Sequence, residues 1–140
     1  MRLLITTPTS VVIDDPSVVA VRAEDESGGF GILKGHADFL TALSISVVSW
    51  HRADGRQQFC AVRHGVLSVT RGSEVAIATR EAVPGDDFDH LDQVVLAEFR
   101  ETLEAERTAR TESLQLQMKA IRQIVRYLRP EKRGANGGGP

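Results

Sequence analysis

Four glycines crowd into eight residues at Gly28-Gly-Phe-Gly-Ile-Leu-Lys-Gly35, followed by His36-Ala-Asp38 and an apolar run to Leu43. Backbone amides without side chains around them can cradle phosphate, so two phosphate-binding patterns are the first comparison. A dinucleotide fingerprint needs a third glycine three residues after the second, where a helix packs closely on a strand. Counted from Gly29 and Gly31, that position is Lys34. A P-loop needs Ser or Thr after its lysine to hold magnesium; Lys34 is followed by Gly35 and His36. The glycines therefore read as backbone punctuation, relieving tight turns or close strand approach.

Other reactive side chains are scattered. General acid–base chemistry needs titratable groups that converge, yet His36, His51, His64 and His90 occur singly beside turns or strand ends. No two histidines have the spacing of metal ligands on one helix. Glu24-Asp25-Glu26 is acidic enough for calcium but lacks a loop with ligands at regular positions. A Ser-His-Asp triad assembles from distant residues and is not decided by spacing, but no serine lies in a nucleophile elbow. One cysteine, Cys60, lies between Phe59 and Ala61. It excludes an internal disulfide framework or a cysteine-based zinc site and reads as a small buried hydrophobe. No enzyme chemistry, metal or cofactor is expected. For His36 two readings stand: a loop histidine satisfying a backbone group, or a contact residue on an exposed turn.

At 140 residues the chain suits one domain, or a small domain with an appendage. A net charge of −2 gives no general attraction to nucleic acid or an anionic membrane. No window approaches the length of apolar sequence that spans a bilayer, and Met1–Pro8 has too short an apolar run for a signal peptide. Membrane contact is expected only through a partner.

The elements that must position these residues follow from period. Leu3–Thr7, Val11–Ile13, Val18–Ala23, Ile45–His51, Gln58–Val62, Gly65–Thr70 and Glu74–Arg80 are β-branched or alternating, as strands with one buried face are. Asp14-Asp-Pro16 and Glu24–Gly29 read as turns, and Ala53-Asp-Gly-Arg56 as a hairpin. Short strands at this spacing predict an antiparallel sandwich or barrel over residues 1–85. After Pro84-Gly85 the period becomes helical: Leu91, Val95, Phe99 and Leu103, then Leu114, Met118, Ile121, Val125 and Leu128. Asp89 is the expected N-cap. The polar interval 104–113 predicts either two helices with a hinge or one long helix, and Pro130 is the expected stop. Residues 86–130 thus form a helical region and 131–140 a flexible tail. A cut that removes 91–140 is expected to leave the sandwich folded.

Charge divides along the same boundary. Residues 1–90 hold eight Lys or Arg against twelve Asp or Glu, whereas residues 91–140 hold nine against seven. Lys119, Arg122, Arg126, Arg129, Lys132 and Arg133 face only Glu131. The natural complement of that basic end is an acidic partner surface.

The motif order resembles a known family. Gly31-Ile-Leu-Lys-Gly-His-Ala-Asp-Phe-Leu-Thr-Ala-Leu43 is similar to the signature Gly-Ile-x-Pro-Gly-His-Ala-Pro-x-Leu-Thr-Ala-Leu of the epsilon subunit of F-type ATP synthases, equivalent to mitochondrial delta. Phe59–Val69, Glu74–Ala82 and Pro84–Asp89 resemble its following strands and its helical boundary. The similarity runs in order from residue 2 to about 92, and more loosely to Leu128.

The resemblance implies a ten-stranded β-sandwich followed by two α-helices, in a noncatalytic rotor subunit. It implies that the sandwich binds the gamma subunit and rests on the c-ring of a proton- or sodium-translocating synthase. The complex then lies at the cytoplasmic face of the inner membrane, with this subunit peripheral. Gly31, Lys34, Gly35, His36 and Asp38 would lie at the gamma and c-ring end. The C-terminal helices would switch between a hairpin and an extended form. In the extended form Lys119, Arg122, Arg126 and Arg129 would meet the alpha and beta subunits and inhibit ATP hydrolysis. Two departures stand out. The family prolines are Lys34 and Asp38 here, a less rigid and more charged turn that points to a divergent branch. The ATP-binding motif Ile/Leu-Asp-x-x-Arg-Ala also lacks its arginine: from Phe88-Asp89 that position is Asp92, and from Leu91-Asp92 it is Val95. The competing reading is a small-ligand-binding β-sandwich regulator with a helical lid.

Overall fold

The structure, a computed structural model, describes residues 1–128. Eight strands precede the helical region: β1 (Arg2–Thr7), β2 (Ser10–Asp15), β3 (Val18–Asp25), β4 (Gly28–Leu33), β5 (Phe39–Leu43), β6 (Ser46–Arg52), β7 (Gln57–Thr70) and β8 (Glu74–Gly85). They are linked as β2-β1-β8-β7-β5-β3-β4, with β6 pairing β3 and β7. The β-sandwich expectation holds, with eight strands in place of ten. The difference lies in β7 and β8, each long enough to serve two neighbourhoods. Gln57–Val62 of β7 pairs with β6, and Gly65–Val69 pairs with β5. The separate strands expected at 58–62 and 65–70 are one strand, bent at its middle.

That bend has a local cause. His64 (φ 58°) and Gly65 (φ 145°) both leave the extended region, and the register with β8 passes from Arg63↔Glu81 to Gly65↔Thr79. The buried Thr79 hydroxyl reaches the carbonyl oxygens of Arg63, His64 and Glu81, supplying a polar partner where the ladder is interrupted. Such bends let a strand pass from one layer of a sandwich to the other.

Every strand pair is antiparallel except β1 with β8, which run parallel from Arg2↔Glu74 to Thr6↔Ala78. A parallel pair cannot be joined by a hairpin, and here almost the whole domain separates the two strands. The core draws on every strand except β2 for its fully buried side chains, with Leu3, Ile5, Val21, Ile32, Leu43, Val48, Trp50, Leu67 and Ile77 among them, and Ile13 of β2 packs against it. Cys60 belongs to this core, and burial pushes its thiol pKa up to about 12.

Asp14 and Asp15 end strand β2, so the expected turn is confined to the Asp15–Ser17 link before β3, and Asp15 is buried. Its carboxylate accepts from Trp50 Nε1 at 3.3 Å and from the Ser17 amide at 2.9 Å, and lies 3.3 Å from Arg52 Nη1. Hydrogen bonds to a charged group contribute about 1.5–3 kcal/mol, and Arg52 stays partly solvated when its partner is lost. Asp15→Ala is therefore expected to destabilise the domain by about 2 kcal/mol, read as a lower denaturation midpoint. An unchanged midpoint would show that the network is neutral.

The helical region begins with α1 (Phe88–His90), continues through a π-helical turn at Leu91–Val95, and extends as α2 (Leu96–Leu128). The N-cap is Asp87, not Asp89: Asp87 is extended (φ −111°, ψ 108°) and its carboxylate accepts from the Asp89 amide at 3.0 Å. The extra residue of the π turn puts Leu91, Val95, Leu96 and Phe99 together against Ala61, Ile45, Val47 and Phe59. Phe88 meets Phe59 edge to face, with ring centres 5.7 Å apart. The first compact unit is accordingly Met1–Glu101, and the second begins at Thr102. Of the two helical readings the unbroken one is found: α2 has no break at 108–113. The expected stop at Pro130 and the tail at 131–140 lie outside the described residues.

Candidate functional site

The glycine-rich stretch is strand β4, a turn, and strand β5. β4 pairs with β3 from Ala20↔Leu33 to Asp25↔Gly28 and is the last strand in the sheet order. Gly29 and Gly31 thus sit within a strand, and only Gly28 and Gly35 of the four take positive φ. At the β3–β4 turn the Asp25 carboxylate accepts from the Ser27 amide at 2.9 Å, from the Ser27 hydroxyl, and from Thr41 Oγ1 at 2.8 Å. The Ser27 and Thr41 hydroxyls hold its pKa below the usual carboxylate range. The central acid of Glu24-Asp25-Glu26 thus ties the signature strand β5 to the preceding hairpin. Among the described residues no group of three or more His, Cys, Asp or Glu could hold a metal ion.

Between β4 and β5 the residues Lys34, Gly35, His36 and Asp38 come together as one exposed turn, braced on the β7–β8 hairpin tip. The Gly35 amide donates to the Gly72 carbonyl at 2.7 Å, and the His36 amide to the Leu33 carbonyl at 3.1 Å. A Cβ on Gly72 would lie 2.9 Å from Gly35 Cα, so only glycine allows the two loops this approach. The Asp38 carboxylate accepts from the Arg71 amide at 2.9 Å, across 33 residues of sequence. Where the signature has a rigid proline, this chain has a hydrogen-bonded tie between loops. His36 Nδ1 lies 2.7 Å from the Ala37 carbonyl, and its ring meets Phe39 edge to face at 5.7 Å. His36 thus satisfies a backbone group while remaining half-buried on the turn. Gly31 lies back on β4, paired with Arg22, outside this cluster. Lys34 and Asp38 are exposed, and so are Leu33 and Leu40 on the flanking strands.

The other predicted residues lie on α2. Lys119, Arg122 and Arg126 are exposed, as are Leu114, Met118, Ile121, Val125 and Leu128. At 3.6 residues per turn the basic row lies about 100° round the helix from the apolar row. Arg129 is outside the described residues. Shallow grooves open on the sandwich unit. One of about 430 Å³ is lined by Thr6, Thr7, His64, Val66, Thr79 and Arg80 among others, and one of about 320 Å³ by Asp25–Ser27, Thr41 and Ala42. No helical residue lines either. Sequence reading missed Asp15, Arg71 and Leu96. Only Leu96 had a detectable signal, as an apolar residue beside Val95.

The described residues thus form a β-sandwich with a braced, exposed turn, followed by a helix. The family model for the β-sandwich domain of the ATP synthase delta/epsilon chain matches residues 1–85. ATP synthase epsilon chain 2 of Paraburkholderia xenovorans is 45% identical over 132 residues, covering 94% of this chain and 95% of that protein. ATP synthase epsilon chain 2 of Cereibacter sphaeroides is 41% identical over 128 residues, covering 91% and 88%. In fold the chain is similar to one in the Euglena gracilis mitochondrial ATP synthase assembly of OSCP, F1 and c-ring, with a TM-score of 0.58 and 24% identity, over 76% of this chain and 62% of that one. The chain belongs to the ATP synthase delta/epsilon family, as an epsilon subunit of the F type. Its members are a noncatalytic part of the complex.

Proposed function

We propose that this epsilon chain couples the gamma subunit to the c-ring, and that its helical arm restrains ATP hydrolysis. The observation that carries the coupling reading is the bracing of the Lys34–Asp38 turn. A contact that transmits torque must resist displacement, and two loops joined at Gly35–Gly72 and Asp38–Arg71 do so without proline. The Euglena assembly named above contains F1 and a c-ring, which supports placing the same fold between them. Among the described residues no helix is long and apolar enough to cross a membrane. Membership of the epsilon family supports a peripheral position at the cytoplasmic face of the inner membrane, with contact through the complex. The coupled ion is a proton or sodium.

The arm reading rests on the exposed basic row Lys119, Arg122 and Arg126 beside an exposed apolar row on one helix. An acidic alpha or beta surface would complement the basic row. Ending the chain at Glu101 in the reconstituted motor is expected to leave gamma binding intact. It should raise ATP hydrolysis at least about twofold, the rise expected if half or more of the motors hold the arm in its restraining arrangement. Reversing Arg122, Arg126 and Arg129 to Glu should raise hydrolysis less. Unchanged hydrolysis and unchanged salt dependence would remove the inhibitory reading and leave coupling standing.

A further inference from the structure

The turn at Lys34 and the hairpin tip at Arg71 form a single braced edge with two cations on it. Each precedes one of the two touching glycines, Gly35 and Gly72, so their backbones are held side by side. Arg71 is held at φ 58° with its amide donated to Asp38. Both side chains are exposed, and among the described residues neither has an acidic side chain within ion-pair distance. Asp38, the nearest acid in the turn, directs one oxygen at the Arg71 backbone. Leu33 and Leu40 are 64% and 70% exposed on the strands leading into and out of the turn. The edge thus offers two cations without an acidic partner among the described residues, carried on adjacent, tied backbones beside apolar side chains.

We infer that Lys34 and Arg71 together form a specificity element that accepts a carboxylate-bearing loop of the protein on which this end of the sandwich rests. The inference rests on the coupling reading above and adds to it the chemistry of the partner loop. A protein loop fits better than a lipid surface for two reasons. Electrostatic recognition of anionic membranes draws on clusters of about four to eight basic residues, and this edge has two. Residues 1–90 also carry twelve acidic against eight basic side chains, which opposes a negative surface. A short acidic loop with an apolar residue would satisfy both the cations and the leucines. Charge pairs of this kind choose partners more than they add affinity, so a ring with a neutral or basic loop should be rejected.

The test uses the assembled enzyme. A photo-crosslinker on Leu40→Cys reports which subunit faces the turn, while Lys34→Glu/Arg71→Glu and Lys34→Gln/Arg71→Gln report the charge. The expected result is an adduct with the ring subunit. The Glu pair should lower retention of the subunit on the ring by about tenfold and the Gln pair by less, with the wild-type interaction weakening as salt rises. An adduct with the ring together with full retention of the Glu pair would overturn the charge inference and leave coupling intact. An adduct with no ring subunit would overturn both. Binding of the isolated full chain to phosphatidylglycerol vesicles, lost in the Glu pair, would overturn the protein loop in favour of lipid. Equal thermal midpoints of the variants and the wild type confirm that the fold is not the cause.

Discussion

Ending the chain at His90 is expected to lower its stability by about 4 kcal/mol relative to ending it at Glu101, a conservative sum for four buried apolar side chains at about 1.5–3 kcal/mol each. Leu91, Val95, Leu96 and Phe99 are at most 7% exposed, and they cover Ala61 together with Ile45, Val47 and Phe59 of the sheet. Removing them uncovers that face as well as losing their own burial. At about 4–8 °C per kcal/mol for a domain of this size, the two fragments should melt more than about 15 °C apart, and the shorter should bind an apolar dye. Equal midpoints would mean that the π turn and first helical turns contribute nothing to the fold. The hydrolysis experiment therefore keeps residues 91–101, because a cut at His90 would confuse loss of the arm with loss of the sandwich face.

Gly65→Ala should be the most damaging glycine-to-alanine change among the described residues. Its Cβ would lie 2.3 Å from the Ala78 carbonyl oxygen and 3.0 Å from Thr79 Cα, both backbone atoms of the paired strand. No rotamer change relieves such a clash, and φ of 145° is itself strained for a side-chain-bearing residue. Overpacking costs about 1–3 kcal/mol and positive-φ strain a further 1–3 kcal/mol, so a loss of about 4 kcal/mol is expected in chemical denaturation. Gly55→Ala is the control. Gly55 also has positive φ, at 88°, but a Cβ there meets nothing within 4 Å, so only the conformational cost should appear. Equal losses at the two positions would show that the β7–β8 bend tolerates opening.

Much of this molecule is legible in short windows of sequence. β3 and β6 are visible because β-branched residues alternate there, and the helical region because apolar residues recur at three and four beyond Pro84-Gly85. The signature at Gly31–Leu43 carried the family. Windows failed where two chemistries suited one residue. Asp14-Asp15-Pro16 has turn composition, yet Asp15 is a buried acceptor for Trp50 and Arg52, partners 35 and 37 positions away. Asp89 and Asp87 are equally good caps by type. The choice fell on Asp87, whose backbone is extended where the chain leaves β8.

By itself the sequence determined the period of each segment, the place where strand gives way to helix, and the family, because each is written in residues adjacent along the chain. Only the tertiary structure decided that β7 is a single bent strand, that β8 runs unbroken to Gly85, and that the first turns of helix belong to the sandwich. It also decided that Lys34 stands on a turn tied to Arg71. Those outcomes depend on register and packing between separate segments, some more than thirty residues apart, as Asp38 and Arg71 are. A change of one residue in that register turns every side chain to the opposite face, and no local pattern encodes it.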